Sequence, residues 1–191
     1  MDDHHPPGSL DTRLAARLAA LRAEHGWSLD ALAERSGISR TTLSRMERGE
    51  TSPTASLLGR LCTAYNRTMS RLIAETEAEA PDLLRAADQP LWVDPETGFR
   101  RRNVSPPAAG MDAELIEAEL PVGATIAYAA PPVHGLEQHI WMLGGTLSLT
   151  VERTVHVLKP GDCLRFRLFG ATRFESLGPE TARYALVVCR P

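Results

Sequence analysis

The stretch SGISRTTLSRMERGETSPT, residues 36–54, decides how the first third of the chain is read. Gly37 supplies a turn, Ser39 is a good N-cap, and the residues from Arg40 onward form a short helix closed by Gly49. At 3.6 residues per turn, Leu43 and Met46 fall on one face with Ile38 beside them. Arg40, Thr41, Ser44 and Arg45 fall on the other. The result is a small helix held by three apolar residues, presenting guanidinium and hydroxyl groups outward.

Around this stretch the apolar spacing stays helical. Leu14, Leu18, Leu21 and Leu32 recur with Ala between them, Gly26 ends a first helix, and Ser28 caps a second, SLDALAERS. After Pro53, TASLLGRLCTAY and TMSRLIAETEA give a fourth and a fifth helix, the latter capped by Thr68. Charge is unevenly spread. The whole chain carries a net −3, yet Leu10 to Leu72 holds ten Arg and no Lys against six acidic residues, leaving the remainder at −7. A basic module on an acidic body suggests a polyanionic partner for the first part only.

Two short helices joined by a tight Gly turn have helix-turn-helix geometry, which lets the second helix enter the major groove of B-DNA. There an Arg can bond guanine bidentately and a Thr can meet a base edge through its hydroxyl or methyl. Arg40, Thr41, Ser44 and Arg45 are therefore the expected base readers. Thr42, Arg48, Thr51 and Ser52 sit where phosphates would run, setting register. The segment from Leu21 to Ile73 resembles the phage-repressor-type (XRE) helix-turn-helix family, on LAERSGIS through the turn and LSRMERGETSPT after it. The resemblance implies a double-stranded operator DNA partner, base reading by Arg40, Thr41 and Arg45, phosphate contacts from the backbone near Ser28 and the loop from Arg48 to Ser52, and a structural Glu47 bonded to neighbouring backbone.

Residues 1–9 read as a disordered tail, 10–74 as the helical domain and 75–90 as an acidic, Pro-containing linker. From residue 91 the period changes. LWVD, FRRRNV, AELIEAEL, ATIAYA, HIWML, GTLSLTVE, TVHVLK, CLRFRLF, TRFESLG and ARYALVVC are short, mostly alternating runs separated by Gly and Pro turns, the pattern of an all-β barrel or sandwich. Apolar residues make up 43 % and charged residues 24 %, a globular balance. No run approaches the roughly 18 apolar residues that span a bilayer, and the acidic start MDDHHPPGSLD has no apolar core. Three well-separated cysteines, Cys62, Cys163 and Cys189, read as reduced structural thiols. The expectation is a cytoplasmic protein with no membrane partner.

LGGTLSLTVERTVHVLKPGDCLRF (143–166) and RFESLG (173–178) resemble the cupin family, and LWVDPETGFRRRNVSP resembles a hairpin that leads into some cupin barrels. The fold class expected is thus two-domain: an all-α five-helix repressor-type helix-turn-helix domain, then an all-β cupin barrel (double-stranded β-helix, jelly-roll) over 91–191. Metal-binding cupins use an HxH pair, a Glu and a later His. Here no HxH precedes the Glu position, which holds Gln138, and the later His position holds Thr172. No metal and no cofactor is therefore expected. The barrel is read as holding a small neutral or amphipathic effector on His134, Gln138, Ile140, Met142, Thr172 and Phe174, with Arg165 and Arg167 pointing outward unless a twist of the strand turns Arg167 in to anchor a carboxylate. Joined, the domains resemble XRE–cupin transcriptional regulators, non-enzymatic homodimers whose effector shifts DNA affinity, with the linker as the place to look for the switch. Two alternatives stay open: a metal-dependent cupin enzyme with an accessory DNA module, on His134 and His139, or a barrel that only dimerises.

Overall fold

The computed structural model describes residues 10–74, 82–108 and 111–189. The tail 1–9 and residues 75–81 of the linker lie outside the described residues. The helical part consists of α1 (Leu10–Glu24), α2 (Leu29–Ser36), α3 (Arg40–Glu47), α4 (Ala55–Tyr65) and α5 (Met69–Ala74). Four of these begin on a Ser or Thr hydroxyl that accepts a backbone N–H in the first turn: Ser28 from Ala31, Ser39 from Thr42, Thr54 from Leu57 and Thr68 from Arg71, at 3.0–3.3 Å. The turn between α2 and α3 needs Gly37, which adopts φ 65° and returns its N–H to the Ala33 carbonyl. Leu14, Leu18, Leu21, Leu32, Ile38, Leu43 and Met46 are buried together. Each contributes on the order of 1.5–3 kcal/mol by leaving water, which explains why helices this short hold their shape.

The strands are β1 (Leu91–Val93), β2 (Arg100–Ser105), β3 (Ala113–Leu120), β4 (Thr125–Tyr128), β5 (Leu136–Gly144), β6 (Thr146–Val151), β7 (Thr154–Leu158), β8 (Cys163–Leu168), β9 (Thr172–Leu177) and β10 (Ala182–Cys189). They form two antiparallel sheets, ordered β1-β2-β3-β10-β5-β8 and β4-β9-β6-β7. Their inner faces share a core that includes Ile116, Ile140 and Leu186 of one sheet and Leu147, Leu149 and Phe174 of the other. The chain changes sheet at Gly145, where φ is 66° and an added Cβ would sit 2.4 Å from the Thr181 carbonyl oxygen, so no side chain fits.

The two parts share a bonded and packed interface. Asp94, buried after β1, accepts the Ala55 N–H at the start of α4 at 3.0 Å. Thr68, ahead of α5, donates to the buried Glu114 of β3 at 3.2 Å. Arg101 and Asn103, side by side on the inner face of β2, donate to the Ser70 hydroxyl and carbonyl at 2.6 and 3.4 Å. Gly59 of α4 lies flat against the Tyr128 ring; a Cβ there would stand 2.5 Å from Tyr128 Cδ1.

Candidate functional site

On α3, Leu43 and Met46 are buried to 1 % exposure while Arg40, Thr41 and Arg45 are exposed. The outward groups hold one another in place. Arg40 Nε lies 3.2 Å from Asp30 of α2, and Glu50 gathers Arg48 at 2.6 Å and Arg45 at 3.8 Å. Arg48 also donates to the Ser44 hydroxyl, and the Thr42 hydroxyl lies 2.7 Å from that of Ser39. Such exposed pairs contribute little to stability and are readily exchanged for phosphate or base partners. Ser28 is exposed at the α2 N-cap, and Thr51 and Ser52 are half-buried in the loop after α3. All nine polar residues expected to face DNA belong to α2, α3 or the adjoining turns.

Glu47 corrects one expectation. Its carboxylate is bonded to a side chain, not to neighbouring backbone. Arg22 of α1 meets it bidentately, with Nε and Nη2 each 2.8 Å from an oxygen, and Arg22 Nη1 donates to the Trp27 carbonyl. This fork ties α1, the turn before α2 and the end of α3 together. The Glu47 bond also holds the Arg22 pKa above its ordinary value.

A second site lies where the helical part covers the barrel. A cavity with about 80 Å³ open to the centres of water molecules is walled by Gly59, Cys62, Thr68 and Met69 on one side. Gln138, Thr172, Phe174, Tyr184, Leu186 and Val188 wall it on the other. Phe174 stacks on Tyr184 at 6.2 Å and 14° and meets Tyr128 edge-on at 6.2 Å and 82°. Burial pushes the Tyr128 hydroxyl and the Cys62 thiol up to about 12, and the Tyr184 hydroxyl up as well, so all three stay neutral at physiological pH. A wider groove of about 500 Å³ between α4 and the β4–β9 edge shares Gly59, Tyr128, Ala130 and Thr172 with the cavity.

Three of the six expected effector residues, Gln138, Thr172 and Phe174, line this cavity. Ile140 and Met142 share the inner face of β5 with Gln138, but further along it, at 0 % and 1 % exposure in the packed core. His134 is exposed in the turn before β5 and stands outside the lining. Glu137 and His139 lie on the opposite face of β5, with His139 Nε2 3.0 Å from Glu137 Oε1. Arg165 and Arg167 are exposed, and Arg167 reaches Glu137 at 3.4 Å. The residues do not fit a metal. Thr172 and the Gln138 amide occupy the cavity where carboxylate and imidazole donors belong, and Cys62 keeps its proton. Among the described residues no cluster of three His, Cys, Asp or Glu side chains is placed to hold an ion.

Arg101 and Tyr184 are cavity residues that periodicity alone did not single out. The signal was nevertheless present. In the run Arg100–Arg101–Arg102, strand alternation must send the middle residue to the opposite face from its neighbours. That face belongs to Phe99, Arg101 and Asn103, which are all buried.

Helix-turn-helix geometry, a basic outward α3 and a cupin-type double sheet together define the class. The chain joins a helix-turn-helix domain, of the kind found in DNA-binding transcriptional regulators, to a C-terminal two-sheet domain of cupin-like fold. Residues 18–72 match the family model for the helix-turn-helix HTH_3. The chain is 26 % identical over 184 residues to the HTH-type transcriptional regulator SutR of Escherichia coli (strain K12), covering 93 % of this chain and 95 % of that one. The crystal structure of an HTH_3 family transcriptional regulator from Vibrio cholerae superposes with a TM-score of 0.78 at 24 % identity, covering 95 % of this chain and 97 % of that one. No helix among the described residues is long and apolar enough to cross a membrane.

Proposed function

We infer that this regulator is a cytoplasmic, one-component switch: α3 reads an operator as part of a homodimer, and a small molecule in the barrel cavity sets its affinity. Arg40, Thr41, Ser44 and Arg45 meet base edges. Ser28, Thr42, Arg48, Thr51 and Ser52 meet phosphates. Two copies are needed because repressor-type modules bind half-sites roughly one helical turn apart.

The observation that carries the effector reading is the shared wall of the cavity. Cys62 and Met69 belong to the DNA-binding module, whereas Gln138 and Phe174 belong to the barrel. A molecule there touches both, so it has differential contacts whenever α4 and α5 shift on the barrel mouth, which is the requirement for coupling. On this reading the switch lies at the contact between the domains as well as in the linker. The protein acts without catalysis on this reading, since the cavity lacks the donor set for metal chemistry and its tyrosines and cysteine stay protonated.

The test is a thermal-shift screen of the full chain against small metabolites, with each hit titrated into the operator complex. A hit that changes operator affinity, and whose dose response is blunted by Gln138→Ala, is the expected result. If stabilising hits leave DNA affinity unchanged, or none is found in a broad set, the barrel serves dimerisation. Stoichiometric iron, manganese or zinc in purified protein would favour the enzyme reading.

A further inference from the structure

Arg101 is an unusual residue to find in this cavity. Its guanidinium side chain is only 8 % exposed. Its Nη2 donates to Ser70 Oγ, but its Nε is buried with no hydrogen-bond partner. Among the described residues no carboxylate stands within ion-pair distance of it. A buried cation bonded to one neutral hydroxyl carries a large uncompensated desolvation cost. The two buried acids of the interface have other partners: Glu114 accepts from Thr68 and Asp94 from the Ala55 N–H. Arg101 nevertheless lines the cavity, and its charge opposes the rise in the pKa of Cys62, Tyr128 and Tyr184 around it.

We propose that Arg101 is the anchor for a ligand's anionic group, and that the effector is a small organic monocarboxylate with an apolar body. This rests on the reading of the cavity as an effector site and gives that effector its chemical class. One guanidinium calls for one negative charge, and its fork suits a carboxylate. The remaining wall is Phe99, Ile126, Phe174, Leu186 and Val188, which suits an aliphatic or aromatic body, with the Gln138 amide as a second polar contact. The open volume is that of roughly five to eight waters, which limits the body to a small one. The anchor also explains how binding reaches DNA. Arg101 is bonded to Ser70 of α5, so a carboxylate that draws on the guanidinium alters a bond that holds the DNA-binding module to the barrel.

The experiment is calorimetric titration of the full chain with benzoate and 3-methylbutanoate, each beside its neutral amide, at constant ionic strength. The expected result is a carboxylate preference of about tenfold or more in Kd. Arg101→Gln should erase that preference while leaving any amide binding in place. The wild-type comparison of acid with amide decides the matter even if the variant does not fold. Equal binding of acid and amide overturns Arg101 as anchor but keeps the cavity as a ligand site. Sodium sulfate binding as well as the carboxylates do would reduce the site to a bare-ion site and overturn the apolar-body assignment. Failure of all four probes overturns the proposal. If the neutral metabolites of the thermal-shift screen also fail, the effector reading falls with it.

Discussion

Arg22 and Glu47, 25 residues apart, form a two-pronged ion pair with both contacts at 2.8 Å and the Glu47 side chain only 8 % exposed. It closes α1 onto the end of the helix that carries the reading surface. Removing one partner strands the other in a mostly dry place. Arg22→Ala or Glu47→Ala should cost about 2–3 kcal/mol, less than a fully buried pair because Arg22 keeps partial contact with water. Urea unfolding measures this. A double-mutant cycle should return most of the loss as coupling between the two residues. A coupling near zero would show the pair to be ornamental.

The contact between Gly59 and Tyr128 yields a second expectation. A methyl group at Gly59 would overlap the Tyr128 ring, with Cδ1 and Cε1 at 2.5 and 2.8 Å. Gly59→Ala must push the ring or lift α4 from the barrel, at about 1–3 kcal/mol of overpacking, offset in part by better helix propensity. Tyr128→Ala should absorb the clash, so the double variant is more stable than the sum of the two singles predicts. Strict additivity in thermal melts would mean that the module does not press on the barrel here.

The thiols give a check that is independent of function. Burial pushes Cys62 up to about 12, whereas Cys163 is exposed at the start of β8. Thiolate is the reactive form. At pH 8 the native protein should therefore release one fast equivalent with an aromatic disulfide reagent, mapping to Cys163 by peptide mass. Cys62 should react only on unfolding. Rapid labelling of Cys62 in the folded protein would contradict the packing of α4 against the barrel.

Much of this architecture was legible in the sequence because it is local. The Ser and Thr caps, the left-handed Gly37 turn and the 3.6-residue apolar spacing each act within one turn of helix, and all appear where the pattern put them. Each of the ten alternating runs overlaps one of the ten strands among the described residues, although β5 begins three residues before HIWML, since alternation and Gly or Pro turns are also short-range signals. What the pattern did not disclose depends on partners distant in sequence. Glu47 was expected to bond backbone, yet its partner, Arg22, is visible only once α1 and α3 cross. Gln138 and Met142 share a face but not a cavity, because depth along a strand is set by what caps the barrel. Alternation separates Arg101 from Arg100 and Arg102, but only the cover provided by α5 makes its face an interior one.

The expectation that α3 reads bases is tested most directly by selecting binding sites for the full chain from a pool of random duplex DNA and repeating the selection with variants. Wild-type protein should enrich paired half-sites about one helical turn apart. Arg40→Ala and Arg45→Ala should each relax the preference at particular positions, by about 1–3 kcal/mol per lost bidentate contact. Arg48→Ala should keep the same sequence, weaken binding to all of it, and lower the salt slope by about one unit. The result that would contradict the assignment is a wild-type site that Arg40→Ala and Arg45→Ala recover unchanged, in both sequence and affinity.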